Sequence, residues 1–385
     1  MKAETEKVLE MVTREAVIDA LKGVIGIPSE SLQEQKLAEY MRDRLLKAGA
    51  EAQIDSHGNM IARIRYPKPG KKIYFDSHMD TVEVGNLWTR DPYGELDGDR
   101  FYGVGAVDCQ ASLAGMMLAI EILAKSGIEL SGEAGLAAVA REQYPCVATK
   151  GTVNMLEDGF TADMCIIGEP TDLTICRGCE GMAEVIIDIT GVPCHASNPD
   201  FGVNAIEVMY EVMTRIRELP VGDSEILGKG SLNFGVIEGG TRSCVLPEHC
   251  RLRISKFMVE GEDGEVLLGE INRILEEVKS RDDRIRAEAV LGYNSHAAVV
   301  YEGSPIIDVV RAGSRKVLGE AAPLTAMRAH MDSDFLINMG KIPTVAFGPG
   351  KLRENVVAGS EWVSVDDTVK AVRVYLASVI EALGN

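Results

Sequence analysis

Strand-like and helical stretches alternate through the first 170 residues, and this order limits the possible folds more than any other feature. Residues 33–48 carry apolar side chains at helical spacing and stop at Gly49. Residues 59–64 and 72–75 are β-like, 111–125 form a long apolar helix, and 136–140 and 164–167 read as buried strands flanking a helical stretch at 152–156. Such alternation predicts a layered α/β sheet with helices on both faces. Ligands in these sheets gather where strands end and loops begin. His78, Asp108, Glu142 and Glu169 each fall just after a strand-like or Gly-rich stretch. Four separated metal-ligand residue types therefore share one topological location.

The pattern changes after about residue 181. Strand-like runs at 182–189, 230–237, 249–255 and 285–290 enclose helical runs at 204–218 and 265–279. That β-α-β-β-α-β order is the split-βαβ, ferredoxin-like arrangement. From about 304 the first pattern resumes, with a strand at 343–347 feeding Gly348-Pro349-Gly350. The chain reads as one α/β domain in two segments, 1–180 and 298–385, with a ferredoxin-like α+β domain inserted over 181–297.

Net charge is −19 over 385 residues, which argues against nucleic acid and against an anionic membrane surface as partners. The charged N-terminal stretch reads as an amphipathic helix, not a signal peptide. No apolar run is expected to reach the ~20 residues of a membrane span. A cytoplasmic location is the expectation. Eight cysteines are too few for a disulfide framework in so long a chain. Cys176-Arg177-Gly178-Cys179 has CxxC spacing without a second pair, so reduced structural thiols are expected there. Gly103 and Gly105 lack the third glycine of a dinucleotide fingerprint and read as a turn that presents Asp108.

The ordered motifs resemble the M20 family of metallopeptidases and amidohydrolases. They are Ser77-His78-Met79-Asp80, Gly103-Val104-Gly105-Ala106-Val107-Asp108, Gly168-Glu169-Pro170-Thr171, Cys194-His195-Ala196-Ser197, Glu238-Gly239-Gly240-Thr241 and Phe347-Gly348-Pro349-Gly350. Coverage is nearly end to end, and some stretches look most like the YgeY branch. The resemblance implies a zinc-exopeptidase-like α/β/α catalytic domain, a homodimer built through the inserted domain, and a small-molecule substrate. It assigns His78, Asp108 and Glu169 as metal ligands, with Asp80 fixing the imidazole tautomer. Glu142 resembles the general base, and His195 a histidine that reaches the neighbouring subunit's site to polarise the scissile carbonyl. Arg242 is the basic residue best placed to hold a substrate carboxylate.

Two departures stand out. The family has two consecutive acidic residues where this chain has Glu142-Gln143, and it places a histidine soon after Gly-Pro-Gly where this chain has none. No histidine follows His330 at all. Both exclusive ligands of the family's second metal are therefore missing. Three protein ligands with an open position are a recognised catalytic zinc arrangement, so one Zn²⁺, or Co²⁺ or Mn²⁺, is expected. The expected activity is hydrolysis of an amide-type bond (N-acyl, N-carbamoyl or peptide) in a small substrate bearing a carboxylate. The alternatives are an inactive homologue acting as a small-molecule- or partner-binding dimer, and a two-metal site that recruits His330.

Overall fold

The computed structural model describes residues 2–144, 150–357 and 359–384. The chain divides into two compact units: Met1–Gly178 with Val300–Ala326 and Phe335–Asn385, and Cys179–Val299 with Met327–Asp334. The segment 327–334, which the sequence reading leaves in the first domain, groups with the second unit.

The first unit opens with helices α1 (Lys2–Glu10), α2 (Arg14–Ile25) and α3 (Gln35–Ala48) and strands β1 (Glu51–Ile54), β2 (Met60–Arg65) and β3 (Lys68–His78). A short hairpin, β4 (Glu95–Asp97) and β5 (Arg100–Tyr102), precedes α4 (Ala111–Ser126). Then come β6 (Ser131–Val139), α5 (Gly151–Glu157), β7 (Met164–Ile167) and β8 (Ile175–Cys179). β3 lies between β6 and β7 and is parallel to both, pairing His78 with Val139 and Asp76 with Ile167. The last six residues of β3, the last six of β6 and all of β7 are buried. Helices cover both faces of such strands, which therefore carry continuous apolar runs instead of alternation.

The second unit contains β9 (Gly181–Thr190), α6 (Ala205–Ile216), β10 (Ser231–Gly239), β11 (His249–Met258), α7 (Gly264–Lys279) and β12 (Arg286–Asn294). Its antiparallel sheet has the order β10-β11-β9-β12, the ferredoxin-like arrangement. β9 alternates strictly between buried and half-buried residues, and its inward side chains Ala183, Val185, Ile187 and Ile189 join a core with Met209 and Val212 of α6 and Leu267 and Ile271 of α7. Asn204 and Asp263 cap the two helices through their side-chain oxygens.

The chain then completes the first unit with α8 (Pro305–Leu318), β13 (Thr344–Ala346), β14 (Ser360–Ser364) and α9 (Val365–Leu383). β13 runs parallel to β7, so the main sheet follows β1-β2-β6-β3-β7-β13-β8. Twelve of the 16 residues of α4 are buried, and Tyr375 of α9 packs on Phe75 with ring centroids 5.3 Å apart. The stretch Ala106–Ser126, 21 residues, is long and apolar enough by length and composition to cross a membrane, contrary to the expectation from sequence. Burial explains it: 89% of its apolar window lies inside the protein, as in a core helix that is apolar all round. β14 pairs with β5 in a separate small sheet, placing Glu361 beside the loop that leads to Asp108.

Candidate metal centre

Three neighbouring parallel strands end together, and each loop beyond them carries a site residue. β3 ends on His78, β6 runs out through Ala140 to Glu142 and Gln143, and β7 is followed by Gly168 and Glu169. Asp108 enters from the loop before α4, which can pass close to its neighbours because of Gly105. That residue has φ 72°, and a Cβ there would lie 2.5 Å from the Thr81 side chain. On β13's exit loop, a Cβ on Gly348 would lie 2.5 Å from the carbonyl oxygen of Glu169, so glycine lets this turn brace the Glu169 backbone.

His78 is 1% exposed. Its Nδ1–H donates to the backbone carbonyl of Asp80 at 2.8 Å, so Nε2 is the ring nitrogen left to face the carboxylates. Nε2 faces Asp108 Oδ1 at 3.2 Å and Glu169 Oε1 at 4.0 Å. Burial alone would push this imidazole below 6.5, but Cys109, Asp108 and Glu169 outweigh it and hold it well above. Burial would likewise raise the Asp108 carboxyl, yet His78 and Gln143 hold it below its usual 3.8.

The Asp80 carboxylate, expected from the family to fix the imidazole tautomer, makes no direct hydrogen bond to it in this structure. It lies 3.7 Å from Nδ1, beyond hydrogen-bond range, and the backbone carbonyl takes that contact instead. Its oxygens accept the backbone N–H groups of Glu142 and Gln143, each at 2.9 Å, and the Ser31 hydroxyl at 2.7 Å. Asp80 is thus an anchor for the Glu142–Gln143 turn. Glu142 in turn has a cation beside it: Lys150, 2% exposed, places Nζ 3.4 Å from Glu142 Oε1 and also donates to the Glu142 carbonyl.

Gln143 lies 3.3 Å from Asp108 Oδ2 through its side-chain nitrogen. Only the NH₂ end of an amide can donate to a carboxylate. The Asp108 oxygen that does not face His78 thus accepts a hydrogen bond. Glu361 fixes the other side of the loop, its carboxylate accepting N–H groups from Gly105 (2.8 Å), Val107 (2.6 Å) and Asp108 (3.1 Å). Burial nevertheless raises the Glu361 carboxyl to about 7, against the three N–H donors and helped by the nearby Asp108 charge.

His195 and Arg242 belong to the second unit. His195 bridges Val245, whose N–H donates to the Arg242 carbonyl, so the two residues sit on adjoining exposed segments. The His195 ring nitrogen Nδ1 contacts the Ser197 hydroxyl at 2.7 Å. His330 is also in this unit, with Nε2 3.2 Å from the Tyr293 hydroxyl and 3.4 Å from Asp334 Oδ1. Cys176 and Cys179 are buried.

The donor set fits a divalent cation. An imidazole lone pair and the carboxylates of Asp108 and Glu169 are nitrogen and oxygen ligands of the kinds zinc takes. Among the described residues, the ligand atoms of His78, Cys109 and Glu169 all lie within 4.8 Å of one another. Sequence reasoning missed Cys109, Lys150 and Glu361. Cys109 adjoins Asp108 and could have been flagged from that position, whereas Lys150 and Glu361 act through tertiary contacts that leave no motif.

A layered α/β domain with residues of metal-ligand type at its strand ends, in a chain that also carries a ferredoxin-like unit, suits a metal-dependent hydrolase. The chain belongs to peptidase family M20/M25/M40, whose model matches residues 74–381. Members hydrolyse peptide and other amide bonds, and metal dependence is general to the family. Over 355 residues the chain is 28% identical to the uncharacterized protein YgeY of Escherichia coli K12, covering 86% of each. It is 25% identical over 340 residues to the N-formyl-4-amino-5-aminomethyl-2-methylpyrimidine deformylase of Bacillus subtilis, covering 80% of this chain and 78% of that one. In fold it resembles the aminopeptidase PepT of Bacillus cereus, with a TM-score of 0.80 at 21% identity, covering 97% of this chain and 99% of the other.

Proposed function

We propose that this protein hydrolyses an amide-type bond (N-acyl, N-carbamoyl or peptide) in a small carboxylate-bearing substrate, using one metal ion. The observation that carries the single-ion reading is Gln143, whose amide engages Asp108 Oδ2 while Oδ1 faces His78. His78, Asp108 and Glu169 would hold the ion. When bound, it supplies Lewis acidity, making water more acidic and polarising a carbonyl. Glu142 would take the proton released by the attacking water and pass it to the leaving amine. In the dimer, His195 would reach the neighbouring subunit's site to polarise the scissile carbonyl, and Arg242 would hold the substrate carboxylate. Metal analysis of chelator-free protein beside His78→Ala tests the reading. About one zinc per chain, lost in the variant, is expected, whereas two ions would refute the single-metal assignment and none the metal reading itself.

Lys150 favours a second reading, a homologue that binds but does not turn over. Its Nζ lies 3.4 Å from Glu142 Oε1, so the residue expected to act as the base is already engaged by an ammonium. Zinc-loaded protein that leaves N-acyl amino acids, N-carbamoyl amino acids and dipeptides uncleaved would support that reading over the first.

A cytoplasmic homodimer is part of the proposal. The second unit exposes Phe201 (76%), Tyr210 (72%) and Ile237 (52%), the last on edge strand β10. Apolar exposure along an unpaired edge favours association with another copy. Sedimentation equilibrium giving a monomer at micromolar concentration would refute it.

A further inference from the structure

The loop before α4 supplies two donors in succession. At Asp108 and Cys109 the backbone leaves helical geometry (φ −118°, ψ 89°; φ −130°, ψ 28°) before α4 begins at Ala111. Asp108 faces His78 Nε2, and the Cys109 sulfur joins His78 and Glu169 in a group whose ligand atoms lie within 4.8 Å of one another. In a tetrahedral zinc shell, bond lengths of about 2.0–2.3 Å put neighbouring donors roughly 3.3–3.6 Å apart. A contraction of about 1 Å brings these donors into range.

We propose that Cys109 is a fourth protein ligand to the ion held by His78, Asp108 and Glu169. The inference rests on the single-metal reading above. Sulfur would make the site softer than an imidazole–carboxylate set and select zinc or cobalt over manganese or magnesium. On binding, the S–H bond breaks, a sulfur–metal bond forms, and the proton leaves to solvent.

The surroundings suit a ligand better than a nucleophile. Cys109 is fully buried, so a dissolved substrate cannot reach its sulfur. Its sulfur lies 2.9 Å from the Ser77 hydroxyl, which also reaches the Gly168 carbonyl at 3.2 Å. That hydroxyl can accept from the thiol or turn and donate to a thiolate, so the sulfur keeps a partner in either state. A fourth protein donor also closes the position that a three-ligand site leaves for water, so turnover would need the ion to add a ligand or release the sulfur.

The test is the absorption spectrum of protein loaded with cobalt(II) alone, compared with Cys109→Ser and Cys109→Ala, their fold checked by circular dichroism. One cobalt per chain with an intense near-ultraviolet sulfur-to-cobalt band is expected, the band disappearing in both variants. The ratio of zinc to manganese affinity should also fall at least about tenfold in Cys109→Ser, the loss that removing even an outer partner brings. One bound cobalt without that band overturns the ligation and leaves the single-metal reading standing. No bound cobalt overturns both. If both variants misfold, the wild-type spectrum alone decides.

Discussion

Asp80 offers a sharp test of how the site is assembled. The family resemblance makes its carboxylate the partner of His78, whereas the structure makes it the anchor of the turn at Glu142 and Gln143. Asp80→Asn keeps one oxygen, which can still accept the Glu142 N–H. The new NH₂ then faces the Gln143 N–H, donor against donor. The losses are one charge-assisted hydrogen bond, about 1.5–3 kcal/mol, and a stranded buried N–H, about 1–3 kcal/mol. A destabilisation of roughly 4 kcal/mol corresponds to a melting temperature lower by about 8–16 °C in a domain of this size. His78 Nδ1 keeps its bond to the backbone carbonyl of residue 80, so zinc affinity should stay within about threefold. The assays are thermal unfolding of metal-free protein and zinc competition against a chromophoric chelator. A 10–100-fold drop in zinc affinity, the usual cost of losing a histidine's orienting partner, with melting unchanged, would refute the reasoning.

Glu361 should make the metal-free protein less stable as pH rises. Its carboxyl is raised from 4.5 to about 7, so the associated stability is fully present below pH 4.5 and is lost as pH climbs through 7, by up to about 3 kcal/mol. Glu361→Gln should flatten the melting profile between pH 5 and 8, and an unchanged slope would contradict this. Lys150→Met should cost about 3 kcal/mol by leaving the Glu142 carboxylate short of a buried cation, and Glu142→Leu added to it should restore most of that. Additive losses in denaturant titrations would show that the pair is uncoupled. Gly348→Ala sets a Cβ 2.3 Å from Ser112 Oγ and 2.5 Å from the Glu169 carbonyl. It should lower zinc affinity at least about tenfold, as disturbing a ligand's support does, and unchanged affinity would show that Glu169 is not braced there.

Much of the fold was legible because periodicity reports burial. The strand read at 164–167 is Met164–Ile167 in the structure, and the β-α-β-β-α-β order of the second unit appears as expected. Strand starts were less readable. β3 begins at Lys68, five residues before its apolar run at Ile73, and those first five residues are exposed and mostly charged. It also continues through Asp76, Ser77 and His78, polar residues buried because the sheet is covered on both faces. The small sheet of β4, β5 and β14 escaped notice because its strands are short and its pairing joins residues 100–102 to 362–364. At the site, ligand types at strand ends were readable, but partners were not. A sequence shows that residue 80 has a carboxylate, yet cannot show that the imidazole will choose its backbone carbonyl.

The strand β14 also bears on how such a site can change over generations. The histidine that the family resemblance places soon after Gly-Pro-Gly would fall within residues 351–361, the stretch that ends at Glu361. That histidine could vanish by a single side-chain replacement, because its work was confined to one ion. The backbone around it is not equally free. Shortening the segment would withdraw the acceptor from three N–H groups on the Asp108 loop, two of them buried, at a cost of several kcal/mol. Chemistry and scaffolding occupy the same few residues but answer to different selective pressures, so one ligand can be lost while the strand that held it stays indispensable to the ligands that remain.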